Sequence, residues 1–219
     1  MIAHELISND IIPLRTSDTG EEALSIMHEF FVQHLPIVND RELLGLVSEN
    51  DILDHDVSEP VGSYALSSSR ARVRAGDHLY EIMRLVAQFD LTAVPVVDMD
   101  GNYLGLISAS DLLNFYARTA SFSERGSIII LEMQRRDYSL AQIARITESE
   151  NAIILSSFVE SVSDGAMLQV TIKVNHEFMS GIVSGFERFG YKVKATFNEG
   201  AAVDTLRERY DSLINYLNV

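Results

Sequence analysis

The chain has 219 residues, 47% of them hydrophobic and 8% aromatic, which is enough to bury a core and leaves room for one large domain or two small ones. The formal net charge is −15, with 20 carboxylates against seven arginines and no lysine among residues 1–124, and a surface this acidic argues against general nucleic-acid binding and attachment to anionic lipid. There is no cysteine, so disulfides, thiolate nucleophiles and thiolate metal sites are excluded.

The first ten residues lack the basic and apolar regions of a signal peptide, and the longest apolar runs, such as Ser127 to Leu131, are too short to cross a bilayer. A cytoplasmic location is therefore expected. From Asp10 a short extended lead with Pro13 runs to Asp18 and Thr19, where Ala23, Leu24, Met27, Phe30 and Phe31 take up helical spacing. Two brief apolar strands, LPIVND and LLGLVS, join at a turn around Asp40 to Glu42, and SENDIL starts another helix. The same order returns from residue 70: an extended RARVR lead, a helix with Leu79, Met83 and Val86, the strands VPVV and YLGLIS around a DMDG turn, and a last helix. Each copy is a β-α-β-β-α unit.

The repeat is tightest in GLVSENDIL (residues 45–53) and GLISASDLL (residues 105–113), where Gly45 and Gly105, Ser48 and Ser108, and Asp51 and Asp111 are each 60 residues apart. A Ser three residues before an Asp, ahead of an apolar helical run, is an N-terminal capping arrangement. The same helix end also favours an anion, because its free N–H groups point outward. Arg70, Arg72 and Arg74 alternate on the second lead and share one face. Either they pair with the plentiful surface carboxylates, or they supply an anion site in the acidic half.

From Arg125 the pattern changes. SIIILEM reads as a strand, Ser139 as the cap of a helix with Gln142 completing a capping box, AIILSSFVESV and AMLQVTIKV as strands joined through SDG, Met179 to Phe186 as a helix ending at Gly190, and YKVKATF as a last strand. The order β-α-β-β-α-β is the ferredoxin-like arrangement. The tail places Leu206, Tyr210, Leu213 and Leu217 on one helical face. No two His stand at metal-ligand spacing on a helix, DHD (residues 54–56) reads as a solvated linker, and neither a nucleophile elbow nor a Gly-rich phosphate loop is present.

The two copies resemble the CBS domain, and their tandem resembles a Bateman module. The fold class expected is thus α/β (α+β): repeats over residues 1–60 and 61–122, then a ferredoxin-like unit over residues 123–219 with a C-terminal helix. That last unit is similar to an ACT domain, and the layout resembles the acetoin-utilisation accessory proteins. The CBS resemblance implies a non-catalytic regulator that binds an adenosine-containing ligand, such as AMP, ADP, ATP or S-adenosylmethionine, with Mg as a companion ion. It implies a homodimer acting on a separate, unidentified protein. The Asp would take the ribose and the hydroxyl residue would face phosphate, so the binding residues are Ser48 and Asp51 in one cleft and Ser108 and Asp111 in the other, with Val73, Pro95, Arg72 and Arg74 assigned to the second. Glu49, Asp54 and Asp56 crowd the first cleft, while Arg72 and Arg74 would contact phosphate in the second, and the arginines make the second the tighter one expected. ACT domains that bind amino acids carry a Gly after the first strand; RRDYSLAQIA (residues 135–144) has none, which argues against an amino-acid ligand there. The alternatives are a structural dimerisation module without ligand and a nucleotide hydrolase.

Overall fold

A computed structural model describes residues 1–64, 71–162 and 165–198, which divide between Tyr116 and Ala117 into two compact units. Arg70 and the tail stripe from Leu206 to Leu217 lie outside the described residues.

In the first unit, the Thr19 hydroxyl accepts the Glu22 N–H while the Glu22 carboxylate accepts the Thr19 N–H, and this box starts α1 (Gly20–Phe30). The helix ends on Phe31 in the left-handed region, φ 54°. Then β1 (His34–Asn39) and β2 (Glu42–Ser48) form an antiparallel hairpin around Asp40, and α2 (Glu49–Leu53) follows. The lead makes a single parallel bridge, Leu14 to Ile37. The second repeat matches: β3 (Val73–Arg74), α3 (Leu79–Phe89) ending on left-handed Asp90, β4 (Ala93–Val97), β5 (Tyr103–Ser108) and α4 (Ala109–Ala117). Its strands are ordered β3-β4-β5, with β3 parallel to β4 and β5 antiparallel to it.

The repeats are interleaved. Leu46, from β2, is fully buried in the core of the second repeat beside Val73, Ile82 and Val94, while its counterpart Leu106 is fully buried in the core of the first beside Leu14, Leu35 and Ile37. The leading arms cross as well. Residues 2–8 lie on the second repeat, where the Ala3 N–H donates to Asp77 O and the Ser8 N–H to Leu106 O. Residues 60–64 lie on the first repeat, where the Val61 N–H donates to Asp18 O and the Gly62 N–H to Thr16 O. Glu42 bridges Asn102, its equivalent 60 residues on, and Val38, Leu43 and Val97 form a small cluster with Tyr103 packed against it. Burial raises the Tyr103 hydroxyl above its ordinary pKa.

In the second unit, β6 (Ser127–Gln134), β7 (Ile154–Val162), β8 (Met167–Val174) and β9 (Lys192–Asn198) are ordered β7-β8-β6-β9, each antiparallel to its neighbours. With α6 (Leu140–Ser149) and α7 (Ser180–Arg188) this is the expected ferredoxin-like topology; in addition, the short helix α5 (Ala120–Ser123) precedes β6. Alternation buries Ile129, Leu131 and Met133 of β6 with Leu168, Val170 and Ile172 of β8 against Ile143, Ile146, Ile182 and Phe186 of the helices. Ser139 accepts the Gln142 N–H at 3.3 Å, the expected cap.

Candidate functional site

Both Ser-x-x-Asp motifs form reciprocal capping boxes. The Ser48 hydroxyl donates to Asp51 Oδ2 at 2.8 Å and accepts the Asp51 N–H at 3.1 Å, and the Ser48 N–H donates to the same Oδ2 at 2.8 Å. Ser108 and Asp111 repeat this at 2.7, 3.0 and 2.8 Å. Ser48, Asp51 and Ser108 are buried and Asp111 is half-buried. The capping function is therefore realised in both copies, while each Oδ1 is left outside the box. A ligand phosphate reaches the Ser hydroxyl only if that hydroxyl turns away from its own Asp.

A cavity of about 420 Å³ adjoins the first motif, lined by Gln33, His34, Ser48, Asp51, Phe89 and Asp90 together with Glu49, Asn50 and Asp54. The expected acidity is present through Glu49 and Asp54. Asp56 accepts the Ser58 N–H and hydroxyl instead, which holds its carboxyl below the usual range. Asp90 joins the cavity from the left-handed end of α3, a contribution the sequence reading missed. Burial lowers the pKa of His34, against the opposing pull of Asp51 and Asp90. Of the DHD stretch, Asp54 lines the cavity and His55 stacks on Tyr64 with ring centroids 4.4 Å apart. A second cavity, of about 530 Å³, lies between the lead from Ile12 to Ser17 and the hairpin residues Val38, Asn39 and Asp40.

Arg72 and Arg74 are exposed, and Val73 between them is buried in the core of the second repeat, so the two arginines do share a face. They differ in how they stand to the helix start at Ser108. Because β4 separates β3 from β5, and Val73 is in register with Val96 and hence with Gly105, Val73 is roughly 14 Å from Ser108, a distance set by strand spacing and residue rise. Arg74 lies farther still, whereas Arg72, on the other side of Val73, lies nearer, at roughly 12 Å by the same spacings. The register thus carries Arg74 away from the cleft of Ser108 and Asp111 and leaves Arg72 at the end of the lead strand nearer to it: alternation fixes the face of a strand but not the neighbour it pairs with. Neither guanidinium has an ion-pair partner among the described residues. The side chain of Val73 is core, and Pro95 is buried within β4 opposite Leu106. The chain beside β5 is the lead of the first repeat, through Ser8 and Leu106.

The second unit has a cavity of about 620 Å³ where the loop from Arg136 to Ser139 meets Gly190, Tyr191 and Lys192. Lys192 pairs with Glu132 at its edge. Among the described residues no helix is long and apolar enough to cross a membrane.

The CBS domain family model matches residues 3–58 and 63–118. Among curated relatives, the inosine-5'-monophosphate dehydrogenase of Korarchaeum cryptofilum is 26% identical over 123 residues, covering 56% of this chain and 25% of the enzyme. The chain spans 25% and 42% of the first two curated relatives it matches. Among solved structures, a CBS domain pair/ACT domain protein from Thermotoga maritima aligns with TM-score 0.48 and 22% identity, over 53% of this chain and 96% of that one. An acetoin-utilization candidate protein from Vibrio cholerae aligns with TM-score 0.46 and 20% identity, over 53% of this chain and 90% of that one.

Proposed function

The chain belongs to the CBS domain family, whose model covers half of it, and from that premise we propose a regulatory protein without catalytic activity that senses an adenosine-containing ligand and acts on a separate protein. The observation that carries the reading is the duplicated Ser-x-x-Asp helix start in two interleaved repeats. Leu46 and Leu106 each seat in the other repeat's core, so a ligand that shifts one hairpin displaces a side chain in the opposite core. AMP, ADP, ATP and S-adenosylmethionine are the ligands to test, with and without Mg. A homodimer is part of the reading, with the ACT-like second unit serving assembly or partner contact in the cytoplasm.

The cleft of Ser108 and Asp111 remains the better phosphate site. Ala109 and Ser110 stand there where the first copy has Glu49 and Asn50, so a phosphate meets less repulsion, and Arg72 lies at the nearer end of the lead strand. Calorimetry of the full chain with each nucleotide, paired with thermal shift, tests the proposal. Saturable micromolar binding supports it, and no heat and no shift with any of the four ligands removes it. The closure of each Ser on its own Asp favours a second reading, a structural module without ligand, which that blank result would select. Release of product on prolonged incubation with ATP would select a hydrolase.

A further inference from the structure

His34 stands at the seam between the repeats, 9% exposed, at the start of β1 and opposite Ser48. The Thr92 N–H points at His34 Nδ1 from 3.3 Å, and Thr92 Oγ1 lies 3.1 Å from the same nitrogen. Thr92 Oγ1 in turn accepts the Gln33 N–H at 2.7 Å. An amide N–H can only donate, so this bond forms in the tautomer that carries its hydrogen on Nε2; with hydrogen on Nδ1 the ring donates to Thr92 Oγ1 instead. The two repeats are thus joined through an atom that stops being an acceptor when it is protonated.

We propose that the contact between His34 and Thr92 is a proton-sensitive latch between the repeats: acidification protonates Nδ1, releases the Thr92 amide and loosens β1 from β4 beside the helix start at Ser48. The latch does not depend on any ligand. Asp51 from α2 and Asp90 from the end of α3 face the ring and favour its protonation, and Glu49 and Asp54 line the same cavity. His28 and Glu21 of α1 border the adjoining cavity shared by Gln33 and Thr92. Neither β1 nor β4 brings another titratable group. Burial outweighs the carboxylates and keeps the ring neutral at neutral pH. Because the folded value lies below the unfolded one, the stabilisation is complete above the unfolded value of about 6.5 and declines as pH falls through it toward the folded value.

The test follows imidazole ¹⁵N shifts and amide exchange of the full chain between about pH 7.5 and about pH 5.5. The expected result is the Nε2–H tautomer for His34 with a midpoint below that of an exposed histidine, and a loss of about tenfold in the protection of the Thr92 amide at the acid end, while the Gln33 amide keeps its bond to Thr92 Oγ1. In His34→Asn, whose Oδ1 accepts without titrating, protection should stay within about twofold across the range. A ring carrying hydrogen on Nδ1 at neutral pH, a midpoint at or above about 6.5, or the same acid loss in His34→Asn overturns the proposal. The two ring measurements need only the unsubstituted protein, so the test stands even if the variant does not fold.

Discussion

Leu46 of the first repeat and Leu106 of the second, at equivalent positions 60 residues apart, have exchanged cores, and neither is exposed. Each would stabilise the unit by about 1.5–3 kcal/mol through burial alone, and that energy is available only when both repeats are folded together.

Leu106→Ala should cost about 2–5 kcal/mol in chemical denaturation, and its damage should fall mainly on the first repeat. Amide exchange should quicken at Leu35 and Ile37 more than at Ile82 and Val94. Faster exchange confined to the second repeat would contradict the exchange of cores.

Gly105 sits at φ +146°, and a Cβ there would stand 2.4 Å from Ile7 Cγ2 and 3.5 Å from Ser8 O. Gly105→Ala should therefore destabilise by about 1–3 kcal/mol and detach the leading arm from β5, exposing residues 1–8 to proteolysis. An unchanged cleavage pattern would show that the arm is held elsewhere.

Asp111→Ala should weaken adenine-nucleotide binding by about tenfold or more, and by more than Asp51→Ala does. Each substitution also removes a cap that stabilises its helix by about 0.5–2 kcal/mol, so affinities are compared at a temperature where both variants are folded. If Asp51→Ala abolished binding and Asp111→Ala left it intact, the ranking of the clefts would be reversed.

Replacing Arg74 by Ala should change stability by less than about 0.5 kcal/mol and leave nucleotide affinity at the Ser108 end within a factor of about two, because its side chain is exposed and the register carries it away from that end. A selective loss of ATP and ADP relative to adenosine would place Arg74 at that site.

The second unit should bind no free amino acid in calorimetry, since the loop from Arg135 to Ser139 supplies no glycine for close backbone approach. Light scattering of the full chain should give a dimer at micromolar concentration. A saturable isotherm with an amino acid that vanishes on substitution in the cavity of Tyr138 and Tyr191, or a monomeric mass, would contradict the respective expectation.

Local signals were legible in the sequence because their causes are local. The period of α1 and α3, the hairpin turn at Asp40, the helix starts at Ser48, Ser108 and Ser139, and the alternation in β6 and β8 each arise from neighbours within a few residues. The arrival of Asp90 beside Ser48, the bond between Thr92 and His34, and the separation of Arg74 from Ser108 depend on how two repeats meet or on which edge of β4 a lead strand takes. Nothing in the order of residues distinguishes those outcomes, since an alternating strand reads the same whichever side it joins.

The crossing of the arms, residues 2–8 onto the second repeat and residues 60–64 onto the first, bears on ancestry. Two free copies of one 60-residue unit, each lending its leading arm and its β-hairpin leucine to the other, would have this geometry as a swapped dimer, and end-to-end gene fusion would preserve it in a single chain. Cutting the chain between Tyr64 and Ala71 would reverse that history: the halves should reassemble as a non-covalent pair when mixed, while either half alone would lack the residues that close its own interior.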